Sequence, residues 1–319
     1  MAERAEGSAT ERAEGPLAER VRGSVVIPAH DEREVIGRCL DALLDGVPLG
    51  ALEILVACNG CTDGTADLVR SGWPTVRVIE IAEASKTAAL QAADTVARAF
   101  PRLYLDADVV LPGSSALDVL ELLAGGTVLA ARPPLRYDTR SCTRLVRRYH
   151  AARVRVPALL DRLWGAGVYG LSAQGRARFG AWPPVLADDL FVDSLFTNEE
   201  IAIVATEPVV VSVPRTAPAL LAVLRRGIRA KSTHRHSPAL PPGEPGAGAP
   251  GPGGPVPGSL RLSHRTQGTL GGLLRAGLRR PVHLPDVLVF AGFAFAARVP
   301  GGTGSPGLWE RDDSSRALC

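Results

Sequence analysis

Apolar and polar residues alternate in blocks along the first 131 positions. SVVIPAH is a β-branched run that ends at Pro28 and a polar turn. EREVIGRCLDALLDG then sets Val35, Ile36, Leu40, Leu43 and Leu44 at helical spacing, with Gly46 as a stop. LEILVAC predicts a second strand, apolar enough to be buried on both faces. DGTADLVRSG predicts a short helix that Asp63 would cap. TVRVIEI, RLYLDADVVLP and TVLAARP predict further strands, with helices over ASKTAALQAADTVARAF and SALDVLELLAGG between them. Strands that alternate with helices predict an α/β fold, a mostly parallel sheet with helices on both faces. Ligands of such sheets bind beyond the carboxyl ends of the strands.

The pattern changes after residue 135. RLVRRYHAARVRVPALLDRLW reads as one long basic helix, and GAGVYGLSAQGRARFG as Gly-rich, irregular chain. EEIAIVATEPVVVSVP offers two short strands, and PALLAVLRRGIRAKSTHRH a basic helix. Residues 1–22, with AERAEG followed by TERAEG, predict a disordered tail. Residues 236–258 are rich in Pro and Gly and read as a linker. A helical extension is expected over 259–319. Its apolar run, Val287 to Ala297, is about half the length a membrane-spanning helix needs.

Composition narrows the function classes. A chain of 319 residues allows one large domain or two small ones. A net charge of +3 does not by itself call for nucleic acid, and none is expected as a partner. Lys86 and Lys231 are the only lysines among 36 basic side chains, so a lysine stands out against its background. Five cysteines, at 39, 58, 61, 142 and 319, form no disulfide framework. The first 22 residues lack the apolar stretch of a signal peptide. A cytoplasmic location is the expectation. Nine arginines within 132–162 and the apolar run leave peripheral contact with the inner face of a membrane open.

Three stretches carry candidate chemistry. In YLDADVV, Asp106 and Asp108 lie two apart at a strand end, so both side chains start on one face. Paired carboxylates there suit a divalent ion on a diphosphate. In ACNGCTDGTAD, Cys58 and Cys61 lack the two further soft ligands that zinc would need. Its Asn, Thr and Asp side chains suit a loop that grips a nucleoside. In ASKTAAL, Lys86 opens a helix, where the helix dipole already favours an anion.

Together these pieces resemble the family 2 glycosyltransferases with the GT-A fold, from about Ser24 to Lys231. VVIPAHDE is similar to the opening strand motif, CNGCTDGT to the Asp-Gly-Ser-Thr-Asp-Gly-Thr loop, SKTAAL to Gly-Lys-x-x-Ala-Leu, and LDAD to the metal motif. The resemblance implies a domain over 23–235, with a nucleotide-sugar half at 23–131 and an acceptor half at 132–235. It implies that Pro28, Ala29, Glu32, Asn59 and Asp63 line the nucleoside pocket and that Lys86 and Asp106 extend it toward the ribose and phosphates. Asp108, with Asp106, would hold Mg2+ or Mn2+. LADDLFVDSLF resembles the segment that supplies the catalytic base, with Asp188 in the place of a Glu and Asp189 as the base. RRGIRA lies where processive members carry Gln-x-x-Arg-Trp. Arg226 and Arg229 keep the charge, and the missing Trp points to transfer of a single sugar rather than polymer synthesis. The implied reaction is inverting transfer from a nucleotide-diphosphate sugar to a hydroxyl acceptor, with lipid-linked and cell-envelope precursors among the acceptor classes. Asn59 stands where an Asp is common. With Asp188 and the altered Arg-Trp site, it leaves a second reading, a degenerate member that binds nucleotide sugar or a partner without turnover. Rival enzymes fit less well: PAHDEREV has neither the Gly-rich loop of nucleotidyltransferases nor the G-x-G-x-x-G of dinucleotide oxidoreductases.

Overall fold

The computed structural model describes residues 21–236 and 283–299. The expected tail, the linker and most of the C-terminal extension lie outside these residues. The N-terminal half opens with β1 (Gly23–Ala29), in which every residue is buried. α1 (Ile36–Leu44), β2 (Leu52–Asn59), α2 (Thr65–Gly72), β3 (Arg77–Ile81), α3 (Lys86–Val96), β4 (Arg102–Leu105) and α4 (Gly113–Ala124) follow. The second half contains β5 (Ala130–Arg132), β6 (Leu135–Asp138), α5 (Arg144–Arg153), α6 (Pro157–Leu160), β7 (Val168–Leu171), α7 (Ala173–Arg176), α8 (Asp188–Ser194), β8 (Ile201–Ile203), β9 (Val209–Ser212) and α9 (Ala217–His236). One further helix, α10, spans Leu284–Ala296.

Seven strands form one sheet in the order β3-β2-β1-β4-β7-β5-β8, and β6 pairs with β9 separately. β1, β2, β3 and β4 are parallel, whereas β7 runs antiparallel to both β4 and β5. Successive side chains of a strand point to opposite faces. Val25 and Ile27 therefore join the layer of α1 and α4, while Val26 joins α3 through Leu90 and Ala93. α1 fits its groove because Ile36, Cys39, Leu40 and Leu43 fall on one stripe. The chain runs outward from β1 to β3 and returns to the other side of β1 as β4. This reversal opens a crevice at the C-terminal ends of β1 and β4.

Two expectations need correction. The long basic helix breaks after Arg153, and a separate short helix starts at Pro157. Proline offers no N–H to the preceding turn and disfavours a helical residue before it. The Gly-rich stretch is not irregular, because it supplies β7 at the centre of the sheet. A Cβ at Gly170 would sit 2.8 Å from Leu123 and 2.9 Å from Leu103, so only glycine lets this strand pack against α4 and β4.

The two halves are joined by a buried polar hub. Asp94 of α3 accepts from Arg102 Nη1 (2.8 Å), Tyr104 Oη (2.9 Å), Arg176 Nε (2.7 Å) and Trp182 Nε1 (2.7 Å). A third small core unites α5, α9 and α10, with the Tyr149 and Phe290 rings stacked at 4.9 Å.

Candidate active site

The C-terminal ends of β1, β2 and β4 each deliver polar chain into the crevice. After β1, Asp31 adopts φ of 50°, a left-handed conformation uncommon for a residue with a Cβ. Its carboxylate accepts from Thr62 N (2.7 Å) and Asp63 N (3.3 Å), so the β1 and β2 loops are tied together. Asp63 in turn accepts from Arg33 N (3.0 Å) and Thr65 N (2.9 Å). The helix it was expected to cap has Gly64 at the N-cap instead, and Asp63 secures the first turn from one residue before. Asp31, Cys61 and Asp63 place three donor atoms within 4.8 Å of one another. The backbone N–H groups already bonded to both carboxylates account for this cluster as a loop fastener. Cys61 donates to the Ala29 carbonyl at 3.3 Å and joins the same fastening.

Pro28, Ala29, Glu32 and Asn59 lie at this edge, but all four are buried. Asn59, expected in the lining of the nucleoside pocket, has no exposed surface on its side chain. In the orientation that satisfies its neighbours, its amide donates to the Ala29 carbonyl (2.7 Å) and accepts from Ser85 N (3.2 Å). It thus locks β1 to the start of α3 and forms the floor of the crevice. The open space lies beside it, in a cavity of about 400 Å³ lined by Cys58, Gly60, Cys61, Thr62, Glu80 and Ile81.

Ser85 caps α3 by accepting from Ala88 N (3.2 Å), which sets Lys86 as the first residue of the helix. Its ammonium lies 2.6 Å from Asp106 Oδ1 and 2.6 Å from Asp188 Oδ1. One cation therefore joins the end of β4 to the start of α8. Asp188 is further held by the Tyr169 hydroxyl (2.7 Å), which β7 supplies. Burial alone would lower the Lys86 pKa, but the Asp106 and Asp188 carboxylates outweigh it and hold the ammonium charged. Burial raises the Asp106 pKa and Lys86 pulls it down, and with the Asp188 and Asp108 charges the net is a rise to about 6.

The segment Trp164–Gly167 rises between the two acid pairs. Because β7 runs antiparallel to β4, Gly167 comes level with the end of β4, and Asp106 N donates to its carbonyl (2.8 Å). Gly167 has φ of 66°, and a Cβ there would meet Val109 at 2.4 Å and Asp106 Oδ2 at 3.3 Å. The glycine therefore leaves the second oxygen of Asp106 open. At the other end of the segment, Gly165 N donates to Asp189 Oδ2 (2.8 Å), and Leu190 N donates to Asp189 Oδ1 (2.7 Å). Burial raises the Asp189 pKa, and the neighbouring Asp188 charge raises it further.

Lys86, Asp106, Asp188 and Asp189 thus come together. Arg226, half-buried, and Arg229, exposed, lie on α9, which packs against α5 and α10. From the sequence, GAGVYGLSAQGRARFGAW resembles the family's acceptor segment only as a whole; Tyr169, Gly165 and Gly167 are the residues within it that reach the site. The alternation of Gly with an apolar strand was the signal available for them.

Residues 24–167 match the family described as glycosyl transferase family 2. Over those residues the chain is similar to that family. Its sheet has the GT-A arrangement also found in the mannosyltransferase PcManGT from Pyrobaculum calidifontis, solved in complex with GDP-Man and Mn2+. That likeness has a TM-score of 0.58 at 21% identity, over 88% of this chain and 87% of that one. TarS 1–349 of S. aureus with UDP aligns at 14% identity over 80% of this chain and 71% of its own, with a TM-score of 0.49. Glucosyl-3-phosphoglycerate synthase from Mycobacterium tuberculosis aligns at 20% identity over 58% of this chain and 71% of its own, with a TM-score of 0.41. No curated protein matches the chain. Among the described residues, no helix is long and apolar enough to cross a membrane.

Proposed function

We propose that this protein transfers a single sugar from a nucleotide-diphosphate sugar to a hydroxyl acceptor, with inversion at the anomeric carbon. The observation that carries this reading is the Lys86 bridge, which brings the Asp106–Asp108 turn and the Asp188–Asp189 pair to one crevice. The nucleoside would lie along the ends of β1 and β2, over the floor made by Ala29 and Asn59.

The residues present fit a divalent cation of the Mg2+ or Mn2+ class. Asp106 keeps one oxygen open beside Gly167, and hard carboxylate oxygens are the donors such ions take. Asp108, with Asp106, would hold the ion, which would offset the charge that grows on the leaving diphosphate. Arg226 or Arg229 would add positive charge on the same group. Asp189 takes the acceptor's proton as the acceptor oxygen attacks the anomeric carbon from the face opposite the diphosphate. Its two backbone hydrogen bonds fix the carboxylate, and its raised pKa makes it a better base than a solvated Asp. Asp188 does not move a proton in this scheme. It anchors Lys86 and keeps α8 in register.

Lipid-linked and cell-envelope precursors remain the acceptor classes to test, and a cytoplasmic site of action the setting. α10 favours peripheral contact with the inner face of a membrane. Its outer face exposes Leu284, Leu288 and Phe295, while Asp286 on its other side pairs with Arg148 and Arg155.

A thermal-shift screen of nucleoside diphosphates, with and without Mn2+, tests the donor reading. One nucleotide should raise the melting temperature, and the rise should need the metal. No shift with any nucleotide, together with no nucleoside diphosphate released from any nucleotide sugar, would overturn the proposal.

A further inference from the structure

We propose that Arg153 is the anion-binding residue of the acceptor site, and that the acceptor carries an oxyanion, phosphate or carboxylate, near its reacting hydroxyl. This rests on the transferase reading above and deepens it.

Arg153 ends α5, and its guanidinium is held by aromatic groups. Nε donates to the Tyr137 hydroxyl at 2.7 Å, and the group lies 5.7 Å from the Tyr137 ring centre and 5.1 Å from that of Trp164. Burial opposes its charge, yet Tyr137 and Tyr149 keep it charged. Among the described residues, no carboxylate forms an ion pair with it. Arg153 is half-buried, and a charge partly withdrawn from water is normally paired to offset the desolvation. Five N–H groups in a fixed plane are also more than the aromatic cradle can satisfy.

The position of this cation gives the proposal its content. A Cβ on Gly165 would lie 3.1 Å from Arg153 Nη2, so the guanidinium lies directly against that residue. The same Gly165 donates its N–H to Asp189, the proposed base. The carboxylates of the proposed metal site stand at the other end of the segment, where Gly167 adjoins Asp106. Arg153 and Asp189 therefore both adjoin Gly165, whereas the proposed metal site adjoins Gly167. The donor's diphosphate belongs with the metal. An anion held by Arg153 belongs to the molecule whose hydroxyl Asp189 deprotonates. The planar fork matches either oxyanion in bidentate fashion.

The test uses the full chain with saturating Mg2+ and the nucleoside diphosphate chosen by thermal shift, so that the donor site is filled. Orthophosphate and acetate are titrated separately by calorimetry. One of the two should bind, which distinguishes phosphate from carboxylate. Arg153→Met should weaken that anion about tenfold or more and leave nucleotide affinity unchanged. Arg153→Lys, which keeps the charge but loses the fork, should fall between the two, and it replaces the Met variant if that fails to fold. The proposal is overturned if neither anion binds the wild type. It is equally overturned if the variants bind the anion as the wild type does, or if they lose the nucleotide instead. If no nucleotide binds the wild type, the transferase reading fails by itself, and the same titrations without nucleotide still decide the role of Arg153.

Discussion

Lys86 Nζ lies 2.6 Å from Asp188 Oδ1, and the same ammonium lies 2.6 Å from Asp106 Oδ1. The Asp188 side chain is only 5% exposed and that of Lys86 23%, so this bridge is far from a surface ion pair. Removing one partner of a buried pair leaves the other charge without compensation, at a cost of about 3 kcal/mol. Lys86→Met should lower stability by that order in urea denaturation and lower transfer at least 100-fold. The double variant Lys86→Met/Asp188→Asn should recover part of the stability but none of the rate. Additive stability losses in that cycle would show that the two groups do not depend on each other.

Asp188 and Asp189 are neighbours with different expected roles. Asp189 accepts from one backbone N–H on each oxygen, so Asp189→Asn removes the proton acceptor and leaves one of those N–H groups facing an amide nitrogen that cannot accept. Transfer should fall by about 100- to 1000-fold or more, with nucleotide affinity unchanged and only a small drop in melting temperature. Asp188→Asn should lower the melting temperature more, because it weakens the contacts to Lys86 and Tyr169. Nucleoside diphosphate release, measured beside melting, separates the two. A fully active Asp189→Asn would remove that residue from the reaction.

The N-terminal half was largely legible in the chain because its strands are short apolar runs buried on both faces. Lys86 stood out by its rarity, and Asp106 by its place at a strand end. What remained hidden depended on packing between distant segments. β7 carries Gly170 at the sheet centre because Leu103 and Leu123 press against it, and neither neighbour is visible from GVYGL. Asn59 was expected in the lining of the nucleoside pocket, and only the fold shows its amide turned toward Ala29 and Ser85. Arg153 was one of nine arginines in its stretch, and only the fold separates it from the rest. The break of the basic helix was the exception: Pro157 stood in the sequence and should have been read.

Asp108→Ala tests the metal at a point clear of the Lys86 bridge. The expected result is a normally folded protein whose nucleoside diphosphate no longer raises the melting temperature more with Mn2+ than without it. Transfer should fall about 100- to 1000-fold, as for loss of a preorganised stabiliser of the leaving group. A metal-dependent shift that survives the substitution would place the ion elsewhere.

His150 gives the fold an acid limit. The residue is 6% exposed in the third core, and among the described residues neither ring nitrogen has a hydrogen-bond partner. The Tyr137 and Tyr149 rings face it at 4.5 and 5.1 Å. Burial, with a smaller contribution from the Arg153 charge, lowers its pKa from 6.5 to about 3. The unfolded chain therefore takes up a proton on this residue at a pH where the folded one does not. Stability from this group is complete above about pH 6.5 and is lost as the pH falls from there toward 3. The loss approaches about 1.4 kcal/mol per pH unit within that window. His150→Leu keeps an apolar group of similar size in the core and should flatten the dependence between pH 6.5 and 4.5. Urea midpoints of both proteins across that range measure the difference. Parallel curves would mean that the imidazole finds a partner or water in solution and titrates in the folded protein as it does in the unfolded chain.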